Sequence, residues 1–257
     1  MHKNFLERVV EGKVRSALWQ EHLNRYLFVM RFVPKRVVLD VACGTGYGTE
    51  LLSKSADFIV GADISREALR YANEHYTENA DKNFVLTDAN NLPFRDDVFD
   101  VVVSFETIEH LDRCDLFLQG IKSVLKINGA LIISTPNSKV DSFAKSSKPS
   151  NPFHIREFTG REFSKILCMF SSKKHFYGQC RYTLKDWLLQ ICGAYLPPFL
   201  KSSLNHFGFI SQMSSPKINN ENKLSSLSVY CVKKIRDFYP ICSPRFFIAV
   251  VKNDKKQ

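Results

Sequence analysis

The run Val37-Val38-Leu39-Asp40-Val41-Ala42-Cys43-Gly44-Thr45-Gly46-Tyr47-Gly48 constrains this chain more than any other stretch. A β-branched apolar run ends there in a carboxylate and then in three glycines at alternate positions. A buried parallel strand accounts for the apolar run. Glycines at its exit let the backbone turn sharply and approach a ligand with no Cβ in the way. The spacing is not G-x-G-x-x-G, and no Gly-Lys-Ser/Thr follows to hold a nucleoside triphosphate. The stretch therefore predicts a small-molecule cradle and disfavours a phosphate site.

The chain beyond it repeats the pattern. Phe58-Ile59-Val60-Gly61-Ala62-Asp63, Phe84-Val85-Leu86-Thr87-Asp88, Phe99-Asp100-Val101-Val102-Val103-Ser104-Phe105 and Ala130-Leu131-Ile132-Ile133-Ser134 read as strands. Helical patterns over 49–53, 68–72 and 115–126 alternate with them. That rhythm predicts an α/β doubly wound parallel sheet with ligands at the carboxyl ends of its strands. Asp40, Asp63, Asp88 and Glu106 all fall on that edge, and an acid placed as Asp63 is can accept from both hydroxyls of a ribose. Ahead of the sheet, Leu18, Trp19, Leu23, Tyr26, Leu27 and Met30 recur at helical spacing until Pro34,. Arg25 in this lead-in either reaches a ligand carboxylate or stays an exposed helix arginine.

Past the fifth strand, residues 137–152 are rich in Ser, Lys and Pro and read as a long loop beside the ligand edge,. Thr159 and Glu162 have capping-box spacing, Lys174-His175-Phe176-Tyr177 suits a sixth strand, and Arg245-Phe246-Phe247-Ile248-Ala249-Val250-Val251 a closing one. Residues 184–209 are apolar and helical in parts, broken at Pro197-Pro198, and 211–228 are polar. The expected division is a helical lead-in at 1–35, a core at 36–182, an inserted substrate or interface lobe at 183–244, and a closing core strand at 245–252.

A chain of 257 residues is long enough for one sizeable core,. No apolar run approaches the roughly 18 residues needed to cross a bilayer, and Met1-His2-Lys3-Asn4-Phe5-Leu6-Glu7 lacks the apolar centre of a secretion signal, so a cytoplasmic protein is expected,. The seven cysteines are scattered without a Cys-x-x-Cys pair, which argues against a disulfide framework or a zinc site,. Residues 1–140 hold 17 Lys+Arg against 19 Asp+Glu, whereas 141–257 hold 19 against 7. The basic half suits nucleic acid, anionic lipid headgroups or phosphorylated substrates, or is a solvated surface that favours solubility.

Val38-Leu39-Asp40-Val41-Ala42-Cys43-Gly44-Thr45-Gly46 resembles the first motif of class I S-adenosylmethionine-dependent methyltransferases. Asp63 matches their ribose-binding acid and Thr87-Asp88-Ala89 their adenine-side motif. Leu92-Pro93-Phe94-Arg95-Asp96-Asp97-Val98-Phe99-Asp100 matches the stretch into the fourth strand, and the likeness runs in order over roughly 36–136. It implies a Rossmann-like, seven-stranded, mostly parallel sheet and S-adenosylmethionine as cofactor, whose positive charge suits an acid-lined edge. Asp40 and Gly44 then border the methionine part, Asp63 the ribose, Asp88 and Ala89 the adenine, and the Phe105 backbone the sulfonium. Arg25, Ala42, Gly46 and Ile64 complete the expected cofactor residues. Glu-His-x-x-Arg-Tyr at 21–26 and Asn-Pro-Phe-His-x-x-Glu-Phe at 151–158 are similar to bacterial methyltransferases of surface-glycan assembly.

Methyl transfer to a hydroxyl needs alignment and the loss of a proton, which calls for a base or a metal. Glu106, Glu109 and His110 are three and four apart and share a face if the segment is helical; His154 is the second candidate. Glu-x-x-Glu-His followed by a later His resembles the divalent-metal site of small-RNA 2′-O-methyltransferases, although those carry a richer His/Asp pattern around the second histidine. Its first half also resembles ubiquinone O-methyltransferases. Glu106, Glu109, His110 and His154 are thus candidate ligands for Mg²⁺ or Mn²⁺. Without metal, His110, His154 or Glu106 is the candidate catalytic base, and structural histidines are the remaining option. The expected acceptor is a sugar of a surface polysaccharide or its lipid-linked precursor. RNA, a quinone-type small molecule and a nonenzymatic, cofactor-binding subunit of a glycosyltransferase are the rivals. The apolar stretch 187–200 suits contact at the inner face of a membrane, core packing or a dimer interface, and the oligomeric state stays open.

Overall fold

The computed structural model describes residues 16–76, 81–138, 151–182, 229–234 and 245–254. These belong to a compact unit formed by Met1–Cys180 with Cys231–Gln257, except for 181–182 and 229–230, which fall in a second unit, Arg181–Tyr230. The stretches 187–200 and 211–228 and most of the loop 137–152 lie outside the described residues.

The first helix, α1 (Ser16–Val29), precedes the strands β1 (Val37–Val41), β2 (Phe58–Asp63), β3 (Lys82–Leu86), β4 (Phe99–Ser104) and β5 (Leu125–Pro136). Between them run α2 (Tyr47–Ser53), α3 (Arg66–His75) and α4 (Cys114–Val124). After β5 come α5 (Gly160–Leu167), β6 (Lys174–Tyr182), β7 (Val229–Lys234) and β8 (Phe246–Lys252). The strand order is β3-β2-β1-β4-β5-β8-β6-β7. The first five strands pair parallel, and β8 runs antiparallel between β5 and β6. The predicted doubly wound, mostly parallel sheet is present, with the additional strand β7 at the edge beyond β6.

Strand pleating explains the layering. Along β1, Val38 packs with Tyr26, Val29 and Leu52 of α1 and α2 on one face, while Leu39 and Val41 pack with Phe117, Ile121 and Phe163 of α4 and α5 on the other. A sheet covered on both faces needs apolar residues in both registers, which is why Val37 to Val41 reads as a nearly continuous apolar run. Each fully buried Val, Leu or Ile contributes about 1.5–3 kcal/mol relative to exposure.

Helix ends follow local chemistry. Ser65 caps α3 by accepting from the Ala68 N–H, and Thr159 with Glu162 closes the expected capping box of α5,. Expected boundaries shift by a few residues. β3 ends at Leu86, so Asp88 stands in the loop beyond it. Among the described residues no helix is long and apolar enough to cross a membrane.

The order reverses between β1 and β4, and strands diverging from such a switch point open a crevice at their carboxyl ends,. Because β8 runs the other way, Pro136 at the end of β5 pairs with Phe246 at its start, and the beginning of β8 reaches that same edge.

Candidate functional site

A cavity of about 770 Å³ opens at this edge. One wall is the glycine turn. Gly44 has φ +57 and Gly46 φ +82, both left-handed, and Ala42 adopts φ 60 without being glycine. The turn closes through the Gly46 N–H to the Cys43 carbonyl at 3.1 Å. A Cβ at Gly44 would meet no atom within 4 Å, so that backbone faces open cavity. A Cβ at Gly46 would lie 2.7 Å from the Ala72 Cβ and 2.8 Å from the Phe84 ring. Gly44 therefore serves the cavity, and Gly46 serves the packing of the turn on α3 and β3.

Asp63, 5 % exposed at the end of β2, has its carboxylate plane fixed by two backbone donors. The Gly44 N–H donates to Oδ2 and the Ser65 N–H to Oδ1, each at 2.8 Å. Ile64 is 68 % exposed beside it. Asp88 accepts from the Asn90 N–H at 2.8 Å, and Ile64, Asp88 and Ala89 all line the cavity.

Three of the expected cofactor residues do not reach the cavity surface: Gly46, Arg25 and Asp40. Asp40 lies wholly buried beneath the turn, accepting from Thr49 Oγ1 at 2.7 Å and from the Tyr26 hydroxyl at 3.2 Å. Burial pushes its carboxyl up to about 7 against the lowering effect of those two hydrogen bonds, with the Asp63 charge adding to the rise,. Arg25 is neither an exposed helix residue nor a cavity residue. It is fully buried, donates from Nη1 to Gln179 Oε1 at 2.7 Å, and stacks 4.5 Å from the Phe246 ring. Gln179 in turn donates to the Glu21 carbonyl at 2.8 Å, tying β6 to α1.

Three cavity residues that sequence reasoning passed over lie on the same helix as Arg25. Leu18, His22 and Tyr26 line the wall at four-residue spacing on α1,. The Tyr47 hydroxyl pairs with His22 Nδ1 at 3.1 Å, and burial, with Arg25 adding, holds the His22 imidazole well below its usual range. A Cβ at Gly48 would lie 2.0 Å from the Tyr26 ring, so the third glycine admits this aromatic against the turn. The helical period of the lead-in carried the signal. Arg245, Phe246, Asn151 and Phe153 also line the cavity, brought there by β8 and by the loop before α5.

The opposite wall follows β4. Residues 106–110 are not helical throughout: a left-handed Glu106 (φ 50) precedes a single 3-10 turn, Ile108–His110. Glu106 therefore does not share a helical face with Glu109 and His110. Its Oε1 accepts from Ser134 Oγ at 3.0 Å, and it lines the cavity with Phe105. Glu109 is fully buried: Oε2 accepts from Thr135 Oγ1 at 3.2 Å, and Oε1 has no hydrogen-bond partner among the described residues. Burial, then the Glu106 charge, raises its carboxyl well above the usual carboxylate range.

Residues 151–158 fold back onto this turn. The Ile155 and Arg156 N–H groups both donate to the Glu109 carbonyl, at 2.9 and 3.2 Å. His154 thereby stacks edge-on against His110 with ring centres 4.9 Å apart. Ligand atoms of Glu109, His110 and His154 all lie within 4.8 Å of one another. Of the four candidate metal ligands, these three are brought together and Glu106 is not among them.

A protein-family model described as a methyltransferase domain matches residues 33–184. The chain is 31% identical over 162 residues, 63% of its length and 62% of the relative's, to a Mycolicibacterium smegmatis protein named "Probable S-adenosylmethionine-dependent methyltransferase". It is 28% identical over 106 residues, 41% of its length and 43% of the relative's, to the ubiquinone biosynthesis O-methyltransferase of Brucella ovis. Each alignment thus spans less than two thirds of the relative. In fold it resembles the YcgJ protein of Bacillus subtilis, with a TM-score of 0.60 and 17% identity over 92% of this chain and 100% of that one.

Proposed function

The chain belongs to the methyltransferase-domain family of S-adenosylmethionine-dependent enzymes, and, from the likeness of 21–26 and 151–158 to methyltransferases of surface-glycan assembly and from the basic second half of the chain, we propose that it methylates a hydroxyl oxygen on a sugar of a surface polysaccharide or its lipid-linked precursor. One observation carries the proposal of oxygen as acceptor: one cavity is lined both by Gly44 and Asp63 and by His110 and His154.

The residues of the first wall fit the cofactor. Gly44 leaves its side of the cavity open where any side chain would intrude, and Asp63 is oriented for a ribose diol,. Ile64 offers an apolar surface beside Asp88 and Ala89 for a base. When bound, S-adenosylmethionine supplies a methyl group on a sulfonium, already an excellent leaving group. The protein's part is then to align the acceptor oxygen and to promote loss of its proton. His110 lines the cavity, and its Nδ1 faces the Phe153 carbonyl at 3.0 Å. A carbonyl only accepts, so Nδ1 carries the proton and Nε2 keeps its lone pair. Phe153, 43 % exposed on the adjoining loop and lining the cavity, gives the acceptor side an apolar lip.

A hydroxylated ring of quinone type is the second reading, supported by the likeness to the Brucella ovis enzyme and by that lip. The test is the mass of the surface glycan in cells with and without the protein. A loss of 14 Da per modified sugar is expected, roughly one methylene, as a methyl replaces a hydroxyl hydrogen. An unchanged glycan together with methyl transfer to a hydroxylated quinone would replace the first acceptor by the second.

A further inference from the structure

We propose that Glu109, His110 and His154 form a preorganised site for one divalent transition-metal ion, through which the acceptor hydroxyl is held. The imidazoles share the same outer arrangement. His110 Nδ1 donates to the Phe153 carbonyl at 3.0 Å, and His154 Nδ1 pairs with Glu157 Oε1 at 3.2 Å. A metal-binding histidine nearly always gives its other ring N–H to a carbonyl or a carboxylate, which fixes the tautomer and aims the remaining nitrogen. Here both rings are fixed with Nε2 as the lone-pair atom, and the Asn151 side-chain amide donates to that atom of His154 at 3.1 Å.

The third donor comes from beneath. Glu109 is wholly buried, one carboxylate oxygen is held by Thr135, and Oε1 is a buried acceptor with no donor among the described residues. Such an atom costs about 1–3 kcal/mol unless something satisfies it. A cation bound by Oε1 and the imidazoles does so, and a carboxylate oxygen of Glu109 and one ring nitrogen of each histidine already lie within 4.8 Å of one another. The backbone bonds from Ile155 and Arg156 to the Glu109 carbonyl pin the His154 loop to the His110 turn, so little ordering remains to be done on binding. Two imidazoles and one carboxylate suit Mn²⁺, Fe²⁺ or Zn²⁺ better than Mg²⁺, and three protein donors leave positions open for a hydroxyl. An ion there lowers the pKa of that hydroxyl, and the released proton passes to solvent. This use of the ion rests on the methyltransferase reading; its binding does not.

The full chain, stripped with a chelator and dialysed, is titrated with MnCl₂ by following the resonance signal of the free ion. A parallel series uses ZnCl₂, and calorimetry reads S-adenosylmethionine binding in every sample. We expect one equivalent of ion, lost in the His110→Ala/His154→Ala double variant and weakened at least about tenfold in Glu157→Gln, with cofactor affinity unchanged in both. If neither ion binds at millimolar concentration, or if the double variant retains that equivalent, the site is overturned while the cofactor reading stands. Absence of S-adenosylmethionine binding to the unaltered chain would instead sink the methyltransferase reading and leave the ion site to its own titration.

Discussion

The two walls of the cavity are built by different means. On the glycine side the shape comes from main chain: a left-handed turn at Gly44 and Gly46, backbone donors fixing Asp63, and a buried carboxylate at Asp40 under the turn. On the histidine side it comes from side chains contributed by segments far apart in sequence, Glu109 and His110 after β4 and His154 with Glu157 before α5, and it retains a buried acceptor without a partner. A wall of backbone recognises one ligand in one pose. A wall of titratable side chains can do chemistry, and it is the wall where the acceptor must be chosen.

The largest expected effect tests whether the walls are separable. Asp63→Ala removes the acceptor of two backbone N–H groups, each worth about 1.5–3 kcal/mol to a charged partner,. S-adenosylmethionine affinity is expected to fall about a hundredfold or more by calorimetry, and unchanged affinity would show that the cofactor is held elsewhere. The mirror experiment is His110→Ala, which should lower kcat by about 10²–10⁴-fold while leaving cofactor affinity intact. If that variant lost cofactor affinity too, the division into a binding wall and a chemical wall would be wrong.

The same contrast explains what the chain made legible. The sheet, the glycine turn and Asp63 depend on residues close in sequence with strong local signatures, and they stand where the pattern put them. Asp40 and Arg25 lie beneath the cavity surface, and a charged residue beside a ligand motif and one buried beneath it look alike in a one-dimensional pattern. Only the Thr49, Tyr26 and Gln179 side chains, from three other elements, distinguish them. The face that Glu106, Glu109 and His110 would share on a helix does not form, since Glu106 takes a left-handed conformation that spacing alone does not reveal. His154 is brought to His110 by loop hydrogen bonds to the Glu109 carbonyl, a contact between main-chain atoms that carries no residue-type signal. Strand β7 was absorbed into the expected lobe at 183–244, although Val229-Tyr230-Cys231-Val232 has strand-forming composition,.

Asp40 gives the backbone wall a pH signature. Its carboxyl sits near 7 when folded, against 3.8 when exposed. Between those values the folded state holds a proton that the unfolded state has lost, so stability falls as pH rises across the window. The decline amounts to up to about 4 kcal/mol. Asp40→Asn keeps the shape and removes the titration, so urea unfolding from pH 4 to pH 8 should show a flatter profile in the variant. Equal slopes would mean that Asp40 is already ionised when folded.

The smallest effects separate two glycines within one turn. Gly46→Ala combines a left-handed backbone, costing roughly 1–2 kcal/mol, with a methyl group driven against Ala72 and Phe84, which adds about 1–3 kcal/mol. Urea unfolding should therefore show a loss of about 2–5 kcal/mol. Gly44→Ala has the same kind of backbone strain but meets no protein atom, so its stability loss should stay near 1 kcal/mol,. Its methyl group would stand in the space proposed for the cofactor, and calorimetry should show weakened S-adenosylmethionine binding in a chain that unfolds almost normally. If instead Gly44→Ala bound normally and Gly46→Ala unfolded normally, the roles assigned to the two glycines would be reversed, and the open side of the turn would not be where the ligand lies.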